Sequence, residues 1–138
     1  MRSVLIDTNI LIGALDPADR LHARALEGLR QATGELVTTW PVVTEAVHCL
    51  GRRGWRHQEA LLKMIAEKAL TLAPLTAEDA PRLKDLMEKY RDRPMNLADA
   101  SLLRVAQRDG IETVVTLDRD FRVYRAAGIG ALKMLPRP

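Results

Sequence analysis

The sequence predicts an α/β protein with a mostly parallel central sheet flanked by helices on both faces. Short apolar, strand-like runs alternate with stretches of helical periodicity, and no run of hairpin turns interrupts the alternation. The chain has 138 residues and is 47% hydrophobic, enough for a real core, so residues 1–138 read as one domain. Aromatic residues make up only 4%, so that core must be aliphatic.

The elements follow in order. Residues 3–6 are apolar and partly β-branched, a buried strand, with Asp7 directly after it. Residues 9–15 suit one or two helical turns. Pro17 is read as opening the next helix, where Leu21, Ala25, Leu26 and Leu29 fall at helical spacing before Gly34. Residues 35–38 form a second short strand, and residues 40–50 a helix stopped by Gly51. Gly54 precedes another helix with Leu61, Leu62, Ile65 and Ala69 on one face. Residues 70–75 are strand and turn, limited by Pro74. Thr76 with Asp79 three residues on is a capping-box pattern, opening a helix that carries Leu83, Leu86, Met87 and Tyr90. After a loop at 91–94 comes a helix at 97–108, ended by Gly110. Residues 111–117 contain the clearest strand, residues 118–127 a short helix closed by Gly128, and residues 131–135 a last edge strand.

Composition narrows the function classes. A net charge of +3 is a mild basic bias, compatible with a polyanionic partner without identifying one, and the longest basic run is Arg52-Arg53. Cys49 is the only cysteine, which excludes an internal disulfide and a thiolate cage and suits a reducing cytosol. No stretch approaches about 18 uninterrupted apolar residues, so no membrane span is expected and the chain reads as cytoplasmic. The sequence has no G-x-G-x-x-G, Walker A or G-x-S-x-G motif, which leaves nucleotide-cofactor and serine-hydrolase readings without support.

Four acids stand out. Asp7 and Asp118 each follow a predicted strand, and ligands of parallel sheets bind beyond the carboxyl ends of the strands. Each also suits a helix N-cap or turn. Asp99 lies in the apolar helix, on one face with Leu102, Leu103 and Ala106. A carboxylate buried there needs a partner or a proton. A divalent cation is one partner; a local capping role, with Asn96 as the cap, is the other reading. Glu45 sits among Pro41, Val42, Val43, Ala46 and Val47, faces solvent on its own merits and gains weight only from the set. Oxygen donors without a nitrogen–sulfur cage favour a hard cation, Mg²⁺ or Mn²⁺. His22, His48 and His57 show no paired metal-ligand spacing, and His48 is expected to hydrogen-bond Glu45. One or two such ions suit phosphodiester hydrolysis.

These segments resemble a known family. Residues 4–9 (VLIDTN), Thr44-Glu45, residues 97–100 (LADA) and residues 116–121 (TLDRDF) resemble the motifs of PIN-domain ribonucleases, nearest to the toxin subunits of VapBC-type toxin–antitoxin pairs. The resemblance implies a PIN-like fold, Mg²⁺-dependent endoribonuclease activity, a small antitoxin as partner and a homodimer. It implies Asp7 and Asp99 as central metal ligands, Asp118 as a further ligand, Glu45 as the remaining acid of the pocket, and Thr8, Asn9 and Thr116 as groups orienting them. Asn96 stands where some relatives carry another acid, and Asp120 is an adjacent acid without an assigned role. Arg52, Arg53, Arg56, Arg119 and Arg122 are candidates for an RNA path, though solvated surface charge is favoured for any single one. Trp40 and Trp55 are candidates for base stacking; Trp40 is favoured as core or interface and Trp55 is left open. The alternatives are a non-catalytic PIN-like module that binds RNA or protein, and a phosphoryl-accepting receiver domain. The receiver wants an acidic pair after the first strand, where this chain has Thr8-Asn9.

Overall fold

The computed structural model describes residues 2–138. Its centre is a five-stranded sheet: β1 (Ser3–Ile6), β2 (Glu35–Thr38), β3 (Thr71–Leu72), β4 (Thr113–Val115) and β5 (Lys133–Leu135). The spatial order is β3-β2-β1-β4-β5, and every pairing is parallel. Val4, Leu5 and Ile6 of the central strand are 4%, 0% and 0% exposed. Successive strand residues point to opposite faces, so helices must cover both faces of β1. The helices are α1 (Thr8–Leu15), α2 (His22–Gln31), α3 (Trp40–Gly51), α4 (Trp55–Ala66), α5 (Ala80–Lys89) and α6 (Leu97–Asp109).

Local chemistry sets their ends. Thr39 caps α3, its Oγ1 accepting from Val42 N–H. Asn96 caps α6, which Gly110 ends at φ 69°, a left-handed position suited to glycine. The Thr76–Asp79 capping box forms as read, at the 3₁₀ turn before α5. The Thr39 and Ser101 hydroxyls meet at 2.6 Å in the core and fix the start of α3 against α6.

Four readings need correction. Pro17 does not open a helix; α2 begins at His22. The Asp16 and Asp19 carboxylates accept from Ala18 N–H and Leu21 N–H, folding the intervening residues into turns. The helix expected over 118–127 is a 3₁₀ turn, Arg119–Arg122, after which Ala126 bridges Gly130. The apolar face read on α4 is only partly buried: Leu61 is in the core, Leu62 is exposed, and Ala69 lies beyond the helix. Trp40 is 55% exposed and is no core residue. Among the described residues, no helix is long and apolar enough to cross a membrane.

Candidate metal centre

Asp7 leaves β1 at the carboxyl edge of the sheet. Its N–H donates to Val115 O at 3.0 Å, extending the β1–β4 pairing by one step. Its Oδ1 accepts from Thr8 N–H at 2.8 Å, and Asp7 is the N-cap of α1. Its Oδ2 accepts from the Thr116 hydroxyl at 2.6 Å and from Asn9 Nδ2 at 3.4 Å. Thr116 Oγ1 in turn accepts from Asp118 N–H, and Asn9 Oδ1 from Leu117 N–H. The segments after β1 and β4 are thereby stitched together. Thr8 takes part through its backbone N–H; its own hydroxyl is buried without a partner among the described residues.

Asp118 caps the 3₁₀ turn, its Oδ1 accepting from Asp120 N–H at 2.9 Å. Asp99 arrives from the first turn of α6, where its N–H donates to the Asn96 side chain. One carboxylate oxygen from each of Asp7, Asp99 and Asp118 lies within 4.8 Å of the other two. Capping and clustering therefore coexist at Asp7 and Asp118 rather than excluding one another.

Glu45 stands apart from this trio. It is half-buried on α3, and its Oε2 accepts from Asn96 Nδ2 at 3.2 Å. The expected partner, His48, is exposed, and the bond goes to Asn96 instead. Asp120 pairs with Arg93 at 3.3 Å. Arg53 is taken up by Asp16 and Asp19 at 2.9 and 2.6 Å, and Arg56 pairs with Glu59. Arg52, Arg119 and Arg122 are exposed. The Asn96–Glu45 contact has no sequence signal, since it crosses between two helices. Tyr124, 1% exposed and electrostatically coupled to Asp99 and Asp118, also has none.

The electrostatics are those of crowded, unneutralised acids. Burial pushes the Asp7 carboxyl up to about 6, against the hydrogen bonds from Thr116 and Thr8, and the charges of Asp118 and Glu45 add to the rise. Asp99 rises to about 7, first through burial and then through the charge of Asp7. The Asn96 backbone amide opposes that rise, and Asp118 and Glu45 reinforce it. Among the described residues, no Lys or Arg forms an ion pair with Asp7, Asp99 or Asp118. A small hard cation holds oxygens at about 2.1 Å, with opposite ligands about 4.2 Å apart. Only one pair among three ligands can lie opposite, and neighbouring ligands stand about 3 Å apart, so the three oxygens, gathered within 4.8 Å of one another, would draw inward around a bound ion. The all-oxygen donor set suits such an ion and suits a zinc-type site poorly.

A family model described as "PIN domain" matches residues 4–127. The chain belongs to the PIN-domain family. This PIN-domain chain is 30% identical over 135 residues to "Ribonuclease VapC26" of Mycobacterium tuberculosis, a match spanning 96% of this chain and 100% of that relative. Among solved structures it is similar to VapC20 of Mycobacterium tuberculosis, described as a sarcin-ricin loop cleaving toxin. That match has a TM-score of 0.81 at 21% identity and covers 94% of this chain and 98% of the other. A toxin–antitoxin complex from Klebsiella pneumoniae matches with a TM-score of 0.63 at 27% identity, covering 91% and 92% of the two chains. The parallel α/β architecture read from the sequence is thus the PIN fold.

Proposed function

We propose that this PIN-domain chain is a metal-dependent endoribonuclease that hydrolyses RNA phosphodiester bonds, with Mg²⁺ as its ion and Mn²⁺ able to substitute. One observation carries the reading. Three carboxylates with no basic partner among the described residues converge at the carboxyl edge of a parallel sheet, in a chain similar to a ribonuclease over nearly its whole length. In this reading Asp7, Asp99 and Asp118 hold one or two ions. A bound divalent cation would lower the pKa of water and neutralise charge on the leaving oxygen.

The residues divide the remaining work. The Thr116 hydroxyl, Asn9 and the Thr8 N–H fix both Asp7 oxygens, so its remaining lone pairs keep one direction. Asp118 is held by Asp120 N–H, and Asp99 by the capped start of α6. Glu45, steadied by Asn96 and outside the trio, is the acid free to take the proton from the attacking water. As the water oxygen bonds to phosphorus, the bond to the leaving ribose oxygen breaks and that oxygen takes a proton from solvent. A toxin role with a small protein antitoxin as partner is supported by the likeness to VapC26 and to a toxin–antitoxin complex.

The test is cleavage of structured RNA by the purified protein. Cutting is expected with Mg²⁺ or Mn²⁺ and none with excess chelator. Cleavage that persists in chelator would remove metal dependence from the reading. Carboxylate-dependent Mn²⁺ binding that proves absent, together with RNA binding without cutting, would leave the non-catalytic module instead.

A further inference from the structure

The basic residues do not surround the acidic centre evenly. From its cap at Thr39, beside the carboxyl end of β2, α3 runs for about 18 Å before it ends at Gly51. Arg52, Arg53 and Arg56 lie beyond that far end, and acids already engage Arg53 and Arg56. The turn that Asp118 begins is different. Arg119 and Arg122 are exposed on it, and Arg125, also exposed, follows. Arg93 joins from the loop before α6 through its 3.3 Å pair with Asp120.

This basic ridge ends at a cavity of about 230 Å³ between α5, α6 and residues 125–127. Arg82 and Lys89 line it from α5, two helical turns apart and therefore on one face. Arg125 lines it from the ridge and Gln107 from α6. Gln107 lies about 12 Å along the axis of α6 from Asp99, so cavity and acidic centre share a helix. Measured contacts hold the wall in place. Tyr90 Oη accepts from Arg125 N–H at 3.0 Å, and Lys89 Nζ stands 5.3 Å from the Tyr90 ring centre, so one tyrosine gathers both cations. Arg125 Nη1 donates to Arg122 O at 2.7 Å and to Tyr124 O at 3.0 Å, which leaves its other nitrogens to a ligand. Ala126 and Gly130 exchange backbone hydrogen bonds of 2.8 Å in both directions and close the adjoining loop. Arg82 and Lys89 form no ion pair among the described residues. Asp85, the single acid on the wall, has Lys84 at 3.9 Å.

We propose that this cavity is a phosphate subsite for RNA, in which Arg82, Lys89 and Arg125 hold the backbone of a strand whose scissile bond lies at the acidic centre. The inference rests on the reading of the chain as an endoribonuclease. Lys and Arg contacts to phosphate fix the register of a strand without reading its bases. Pockets that enclose a whole small molecule measure about 300–1,000 Å³. The smaller cavity suits one part of a longer strand better than a free nucleotide held whole. Arg119 and Arg122 give that strand a basic route from Asp118 to Arg125.

Arg82→Ala combined with Lys89→Ala tests the subsite. Both side chains are exposed, so the double variant should melt with the parent. In single-turnover cleavage of a single-stranded RNA with Mg²⁺ at 0.1 M salt, its half-saturating concentration should rise about 10-fold. Its maximal rate should not change, because the contact is made equally before and during the reaction. The slope of log affinity against log salt should shrink by about 1.4, two phosphate contacts at about 0.7 each. Arg24→Ala combined with Lys63→Ala removes the same charge from exposed positions on α2 and α4 and should change neither quantity. Adenosine monophosphate in excess should leave RNA binding intact. Displacement of RNA by that nucleotide, abolished in the Arg82–Lys89 double variant, would assign the cavity to a free nucleotide and overturn the strand reading. If the parent cleaves RNA and the double variant saturates and responds to salt as the parent does, the subsite is overturned and the ribonuclease reading stands. If the parent neither binds nor cleaves RNA, the ribonuclease reading fails and the subsite fails with it.

Discussion

Asp79 and Asp99 are both buried aspartates at a helix start, 4% and 8% exposed, yet their carboxyls shift in opposite directions. The Asp79 carboxylate accepts from Thr76 N–H, from Arg104 Nε at 2.8 Å and from Arg108 at 3.3 Å. Those bonds hold it below the ordinary carboxylate range, the Thr76 amide contributing most. Asp99 is pushed up to about 7 by burial and by Asp7. Both arginines belong to α6, the helix that carries Asp99 in its first turn. A single helix thus supplies cations to a structural carboxylate, while its own acid has none among the described residues. Burying a charge unpaired is unfavourable, so the contrast separates an acid that holds the fold from one that, in the proposed reading, a bound cation would neutralise.

Breaking the contrast at Asp99 should have the largest effect. Asp99→Asn should lower RNA cleavage by about 100-fold or more, measured as single-turnover rate at saturating Mg²⁺, because a ligand to the charge-neutralising ion is lost. The same variant should melt higher than the parent in chelator at pH 8, since it removes a like charge beside Asp7. A variant that cuts normally, or that melts lower, would place Asp99 with Asp79 as a structural acid.

A pH series sharpens the contrast without mutation. Asp7 and Asp99 bind protons more tightly in the folded chain than in the unfolded one, with folded values of about 6 and about 7 against 3.8. Between about pH 4 and pH 7 the folded state therefore holds more protons, and stability in chelator should fall as pH rises through that window. The loss is about 3 kcal/mol for Asp7 alone. Added Mg²⁺ should reverse the fall above pH 7. A melting midpoint that stays flat from pH 4 to 7 in chelator would show that these carboxyls are not crowded as described.

The smallest effect is expected on the structural side. Asp79→Ala loses the capping box and its bonds to Arg104 and Arg108, and should lower stability by about 1–2 kcal/mol in urea titration. Its cleavage rate well below the melting midpoint should match the parent. A large loss of activity there would erase the division between the two acids.

The sequence made the edge of the site visible because strand-end logic is local. Asp7 follows Ile6 and Asp118 follows the β4 run, so each could be assigned to one sheet edge by itself, and the apolar neighbours of Asp99 marked a carboxylate in an unfavourable setting. The Asn96 cap and the Thr76–Asp79 box were legible for the same reason, each lying within one helical turn. What was hidden depends on distant partners. Asp16 and Asp19 are steadied by Arg53, more than thirty residues away, and without it Pro17 reads as a helix start. The Glu45–Asn96 bond spans 51 residues. The exposure of Trp40 follows from how α3 seats through Thr39 on Ser101, which no periodicity encodes.

The 2.6 Å bond from Thr116 to Asp7 joins residues 109 positions apart. In a parallel sheet such a bond forms only after the long connection between β1 and β4 has been closed. During synthesis, Asp7 emerges early and waits for most of the chain before its carboxylate is aligned. The cluster is therefore a late product of folding. A chain interrupted before β4 already carries Asp7 and Asp99 but lacks both Thr116, which aligns Asp7, and Asp118, the third carboxylate of the cluster.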